Sequence, residues 1–144
     1  MRTKIDISKK FNLDKVSFDL SSEINESAKA VVEDHEKRLS FGQGVDGRPM
    51  AKLKPLTIQG KRKQGYAKPR VPLYATGTLK DVKITKKASK TNQEARIMPD
   101  ETRREIGAFH QEGGGKLPKR EWFGVTEKVE ERLLKRMGRQ IERH

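Results

Sequence analysis

VPLYATGTLKDVKI, residues 71–84, is the stretch from which the fold of this chain can be worked out. The pair Thr76-Gly77 interrupts it at a point where glycine permits a turn that other residues resist. From Leu79 onward apolar and polar residues partly alternate, as they do in a strand with one buried face. The apolar anchors of the stretch are Leu73, Leu79, Val82 and Ile84. The stretch therefore predicts a turn that leads into a half-buried strand.

On the C-terminal side, the sequence predicts a hairpin, a short helix and a closing helix. The hairpin joins strands over 79–88 and 94–98 through a polar connection. The short helix covers 101–111 and ends at three consecutive glycines, and the closing helix runs from Thr126, as N-cap, to about residue 141. Trp122 and Phe123, just before the closing helix, are large apolar side chains that we expect to lock this segment to the core.

On the N-terminal side, an amphipathic helix over 20–39 is the strongest prediction. Its apolar residues recur at three- and four-residue steps, and His35 lies on the same stripe. We therefore expect His35 to be a packed core histidine rather than a ligand. Residues 4–7 alternate like a short edge strand, and residues 15–18 suggest another strand that continues it or pairs with it.

These elements predict one domain over residues 1–144 with an α+β fold. In this fold, two amphipathic helices pack on a small antiparallel sheet, and a long basic loop leaves it. Hydrophobic residues make up only 32% of the chain and charged residues 37%, so the core must be small. The sequence contains no cysteine, which excludes disulfides. It has neither a secretory leader nor an apolar run long enough for a bilayer, so we expect no membrane partner.

The positive charge is concentrated in the middle third of the chain. The net charge is +13, and residues 48–90 contain thirteen basic residues against one acidic residue, Asp81. Glycine and proline are dense over 42–70, which predicts a mobile loop without regular structure. Residues 48–70 of this loop contain no acidic residue and eight basic ones: Arg48, Lys52, Lys54, Lys61, Arg62, Lys63, Lys68 and Arg70.

This basic loop predicts contact with the phosphates of DNA or with an acidic partner surface. Tyr66 is the only aromatic residue between positions 48 and 70. Stacking on unpaired bases normally uses several aromatic side chains, so the loop gives little support to recognition of single strands. The alternative interpretation is a solvated loop whose lysines keep the chain soluble.

Candidate catalytic and metal-binding groups are sparse. The three histidines, His35, His110 and His144, fall in separate segments without ligand spacing, so we expect no metal and no cofactor. The glycine run at 113–115 precedes a lysine but lacks the order of a phosphate-binding loop, and it is interpreted as a turn. One further hypothesis is a small hydrolase in which His110 and Glu112 act as the hydrolytic pair. The expectation is nevertheless that the protein is not an enzyme.

Separated motifs follow one another in a definite order along residues 20–140. They are Phe41 at the end of the first helix, Asp46-Gly47-Arg48-Pro49 with Leu53, Leu73-Tyr74-Ala75-Thr76-Gly77-Thr78-Leu79, His110-Gln111-Glu112-Gly113, and Pro118-Lys119-Arg120-Glu121-Trp122-Phe123-Gly124. In this set and order the chain resembles the phage virion morphogenesis family, also called tail completion proteins. Three positions differ from the usual family pattern: Met50, Val82 and Glu121 stand where tryptophan, serine and proline are common.

The resemblance implies a structural protein of a phage or prophage virion without catalytic activity. Such a subunit completes the tail or joins head to tail, forms a ring that is commonly six-fold, and contacts other tail or connector proteins. It would lie in the virion, and in the host cytoplasm during assembly. The residues that carry the motifs here are Thr76, Gly77, Leu79, His110, Gly113, Pro118, Arg120, Trp122 and Phe123. The alternative from charge alone is a stand-alone nucleic-acid-binding protein.

Overall fold

A computed structural model of the chain describes residues 3–5, 19–74, 79, 81–113 and 115–142. Within these residues the fold is α+β, with helices packed on a small antiparallel sheet, as predicted. The elements in chain order are β1 (Thr3–Ile5), α1 (Ser21–Ser40), α2 (Pro55–Lys63), β2 (Val82–Lys86), β3 (Ala95–Pro99), α3 (Glu101–Glu112) and α4 (Glu127–Glu142).

The sheet has the strand order β1-β3-β2, and both pairings are antiparallel. Ile97 in the central strand faces Thr3 on one side and Ile84 on the other. The predicted hairpin is therefore confirmed, with a first strand shorter than the predicted 79–88 and a second strand shifted by one residue from the predicted 94–98. The predicted N-terminal edge strand is present as β1, whereas residues 6–7 and the proposed strand at 15–18 lie outside the described residues.

Helix α1 packs on the hairpin strands, β2 and β3, and on the closing helix, α4. Polar contacts fix its start to the hairpin: the backbone N–H of Leu20 donates to Gln93 Oε1 at 2.7 Å. The side-chain amide of Asn25 bonds both backbone groups of Ala88, accepting from N at 2.7 Å and donating to O at 3.1 Å. These bonds position the helix along the sheet more precisely than apolar contact alone.

The C-terminal end of α1 turns sharply at Gly42. Its φ is +69°, a left-handed conformation that favours glycine. The N–H of Gln43 donates to the carbonyl of Arg38 at 2.9 Å, and the N–H of Gly42 donates to that of Leu39 at 3.2 Å. This pattern is a Schellman motif, and it directs the following turn back toward the core.

Helix α4 begins as the sequence predicted. Thr126 Oγ1 accepts a hydrogen bond from the backbone N–H of Val129 at 3.3 Å, so Thr126 caps the helix. Val129, Leu133 and Met137 form its buried stripe. The charged residues of α4 remain on the outer face.

The prediction that residues 42–70 lack regular structure is wrong, because α2 forms at Pro55–Lys63. Proline fits the first position of a helix, where its fixed φ suits the helix and its missing N–H is not needed. Lys54 before it is extended, with φ −67° and ψ 147°, as residues before proline prefer. Gly65, with φ +74°, follows the helix end. The mobility of 42–70 stays a prediction.

Candidate functional site

The basic segment 48–70 presents a helix whose side chains are displayed rather than buried. None of the residues of α2 is buried, and Leu56 is 81% exposed. An amphipathic helix normally hides its apolar residues against a core. A helix without a buried face contributes little to folding, so its apolar and basic side chains remain available to another molecule.

Two of the eight predicted contact residues instead hold the segment in place. Lys61 Nζ donates to the carbonyl of Val71 at 2.7 Å, and burial lowers the pKa of its ammonium group. Lys68 Nζ donates to the carbonyl of Ser40 at 2.8 Å, and it also lies 4.9 Å from the ring centroid of Tyr74. Both ammonium groups are therefore used inside the chain.

The remaining predicted contact residues have exposed side chains. They are Arg48, Lys52, Lys54, Arg62, Lys63 and Arg70. None of them takes part in an ion pair with another described residue. These six residues, named the basic surface below, are therefore the part of the segment that can meet an anionic partner.

Trp122 is the centre of the buried cluster that the motif residues build. Its side chain is fully buried, and its indole Nε1–H donates to the carbonyl of Gly107 at 2.8 Å. The rings of His35 and Phe123 lie 5.5 and 5.6 Å from it, centroid to centroid. The ring is packed against other aromatic rings and its N–H group has a hydrogen-bond acceptor, as is usual for a buried tryptophan.

The side chain of Gln111 anchors the backbone on either side of this ring. Its Oε1 accepts from the N–H groups of Trp122 and Phe123 at 2.9 and 3.1 Å, and its Nε2 donates to the carbonyl of Phe123 at 3.0 Å. One side-chain amide thus forms hydrogen bonds with three backbone groups, which a neighbouring strand would pair with in a sheet. The His-Gln-x-Gly motif therefore has an architectural role here.

Arg120 joins two motifs that are far apart in sequence. Its guanidinium donates to the carbonyls of Ala51 at 3.0 Å and Lys52 at 3.4 Å, while its backbone N–H donates to the carbonyl of His110 at 2.7 Å. The side chain is buried, and that burial lowers the pKa of the guanidinium. Arg120 thereby fixes the start of the basic segment to the buried cluster around Trp122. We call this cluster, which also contains His35, Gln111, Arg120 and Phe123, the motif cluster.

Arg38 fixes the same cluster to α1. Its Nε pairs with Asp34 at 2.8 Å, and its terminal nitrogens donate to the carbonyls of Trp122 at 3.3 Å and Gly124 at 3.5 Å. Arg38 stands in the last turn of α1, where the helix dipole favours a basic side chain. Its basic type and its position in the last turn gave no sign that it would be buried.

His35 is a packed core histidine. It is 1% exposed, and its Nε2 lies 3.0 Å from the carbonyl of Leu79. A carbonyl only accepts, so Nε2 carries the proton and Nδ1 is bare; Nδ1 is buried without a partner. Burial lowers the pKa of His35 to about 4, and the Arg38 charge adds to this effect. Leu79 thus enters the motif cluster through its carbonyl.

Of the other motif residues, Gly113 has a close packing contact in the structure. Gly113 has a φ of +71°, and a Cβ there would lie 3.0 Å from the backbone of Lys119, so the close approach requires glycine. Pro118 is exposed in the same loop. Thr76 and Gly77 lie outside the described residues. Gly107, which packs on Trp122, had no sequence signal beyond being a glycine within a helical pattern.

The hydrolytic pair and the metal site considered from the sequence can be compared with the described residues. Over that part of the chain, His110 and Glu112 share neither a hydrogen bond nor an ion pair, and no cluster of His, Asp and Glu has the makings of a metal site. His110 Nδ1 is buried without a partner, and burial lowers the pKa of its imidazole. None of the helices in the same residues has the length and apolarity to cross a bilayer.

Comparison with known proteins adds no relative to this description. No family model, no curated protein and no solved structure matches the chain.

Proposed function

We propose that this protein is a structural subunit of a phage or prophage virion that acts in tail completion or at the head–tail junction. In this proposal it is not an enzyme. It assembles as a ring, six-fold as is common in the family it resembles, and contacts other tail or connector proteins. It resides in the virion and, before assembly ends, in the host cytoplasm.

The observation that carries the proposal is the meeting of residues from several of the separated motifs in one buried cluster. Arg120 bonds Ala51 and Lys52 across nearly seventy residues, and Gln111 bonds Trp122 and Phe123. Several of the residues behind the resemblance thus help to hold the fold together. A shared set of architectural residues is a better indicator of common ancestry than scattered surface matches would be.

The exposed α2 supports a role in assembly. Leu56 is 81% exposed beside the basic surface, on a helix with no buried side chain. A subunit that docks to neighbours keeps such surfaces open until its partner arrives, because burial there belongs to the interface. An acidic ring face or DNA passing through the ring would each complement the basic surface.

The location of the protein in purified particles tests this proposal. Mass spectrometry of particles induced from the strain that carries the gene should find the protein at a few copies per particle. Immunogold labelling should place it between head and tail or at the tail end. Absence from purified particles, with the protein free in the lysate, would contradict the proposal.

A second candidate, a stand-alone nucleic-acid-binding protein, is favoured by the charge of residues 48–90, thirteen basic against one acidic. It predicts that isolated protein binds duplex DNA with steep salt dependence and remains outside particles. A charge-reversal triple, Lys54→Glu, Arg62→Glu and Lys63→Glu, discriminates between the two. If the basic surface docks to a partner ring, this triple variant should block virion assembly even when the isolated wild-type chain does not bind DNA. Lys61 is left unchanged because it bonds Val71 within the chain.

A further inference from the structure

Helix α4 carries four basic side chains along one face, away from the basic surface. Arg132, Lys135, Arg136 and Arg139 stand at positions i, i+3, i+4 and i+7, which places them in one row on a helix. With Ser27 and apolar residues of both helices, they line a groove of about 320 Å³ between α1 and α4. We call this feature the arginine groove.

The charge of the arginine groove is largely unbalanced. Arg136 pairs with Glu23 at 2.6 Å. Arg132, Lys135 and Arg139 form no ion pair with any other described residue, and no residue that lines the groove is acidic. Three cations within about 10 Å of helix repel each other unless an anion lies between them.

A second observation in the same groove concerns Ser27. This residue is fully buried, yet its hydroxyl has no hydrogen-bond partner. Buried hydroxyl groups normally have a hydrogen-bond partner. A hydroxyl without a partner in the chain, beside a row of cations, has the chemistry to donate to an anion in the groove.

The spacing of the row identifies the class of anion. From Arg132 to Arg139 the helix rises about 10 Å, the length over which one strand of a duplex advances about three nucleotides along the duplex axis. Three of the four cations are arginines, whose planar guanidinium fits phosphate oxygens in pairs. We propose that the arginine groove binds the phosphodiester backbone of nucleic acid without preference for base sequence. This inference does not depend on the proposed virion role.

Salt-dependent DNA binding tests the arginine groove directly. The triple variant R132Q/K135Q/R139Q removes its three unpaired cations, and glutamine keeps the helix propensity. Fluorescence anisotropy with a labelled mixed-sequence duplex, from about 50 to 200 mM salt, gives the slope of log affinity against log salt. The triple variant should bind more weakly throughout, with a slope smaller in magnitude by about 2 to 3, and each single variant by about 0.9.

A matched triple variant removes the same charge elsewhere. Lys37, Lys90 and Lys116 are exposed, form no ion pair with a described residue and lie outside both basic features. K37Q/K90Q/K116Q should change the slope by less than about 1. Equal slopes in the two triple variants, or no binding by the wild-type chain at the lowest salt, would overturn the inference. The second result would point to an acidic protein as the partner of this row.

Discussion

Gly107 and Trp122 pack in close contact. A Cβ added at Gly107 would lie 2.2 Å from Cζ2 of the indole, far inside contact distance. By contrast, a Cβ at Gly138 in α4 would have no atom within 4 Å. The two glycines therefore differ: the indole of Trp122 leaves no room for a side chain at Gly107, whereas no neighbouring atom restricts Gly138.

Gly107→Ala should destabilise the protein by at least about 1–3 kcal/mol, because the indole or α3 must move. Gly138→Ala should stabilise it by about 0.5–1 kcal/mol, because alanine is the better helix former. Urea denaturation of both variants checks this. A shift of the same sign in both would show that the close contact with Trp122 is not what distinguishes them.

Trp122→Ala should cost about 3–5 kcal/mol of unfolding free energy, since it opens a cavity beneath His35 and Phe123. Leu56→Ala is the control, because Leu56 is 81% exposed and should matter by less than about 0.5 kcal/mol. Calorimetry or urea denaturation measures both. Equal stability of the two variants would contradict the central position of Trp122.

His35 makes stability depend on pH. Burial lowers its pKa from 6.5 to about 4, so between these values the unfolded chain binds a proton that the folded chain does not. Stability therefore falls as pH drops through this window, by about 2 kcal/mol between pH 7 and pH 5. His110 adds a loss of the same sign, because burial lowers its pKa as well.

His35→Gln isolates that contribution, because glutamine can still donate to the Leu79 carbonyl but does not titrate. The variant should lose much less stability between pH 7 and pH 5 than the wild type. An identical loss in both proteins would assign the pH dependence to other groups.

At the scale of the element, the sequence predicted what periodicity and capping determine. The apolar stripes of α1 and α4, the Thr126 cap and the hairpin are local patterns, and the structure contains them. Helix α2 does not follow from the composition of residues 42–70, because dense glycine and proline indicate turns. Pro55 in fact stands at a helix start and Gly65 beyond its end, where each favours the helix.

The position of α2 depends on two lysine bonds rather than on apolar burial. Lys61→Met with Lys68→Met keeps the side-chain stems but removes the bonds to Val71 and Ser40. Hydrogen exchange of the Tyr66 and Val71 amides, which donate to the carbonyls of Lys61 and Lys68, should then speed up. Global stability should change little, because α2 has no buried residue.

Arg62→Met with Lys63→Met is the matched control for this prediction, since both side chains are exposed in the same helix. Exchange at these amides should stay close to that of the wild type. If both double variants exchange alike, the two lysine bonds do not hold the segment.

At the scale of the whole molecule, the motif cluster is made by contacts that no local pattern encodes. Arg38 reaches Trp122 across 84 positions, and Arg120 reaches Ala51 across 69. The sequence identified Arg120, Trp122 and Phe123 through their resemblance to a family, but it could not reveal their partners. Two arginines that bond backbone carbonyls look, in sequence, like ordinary surface charges.

Electron microscopy of particles made without this protein tests the proposed virion role most directly. If the proposal holds, a stop codon in the gene should yield separate heads and tails or particles with unstable tails. Infectious titre should return when the wild-type protein is supplied from a plasmid. Normal, infectious particles in the absence of the protein would contradict the account.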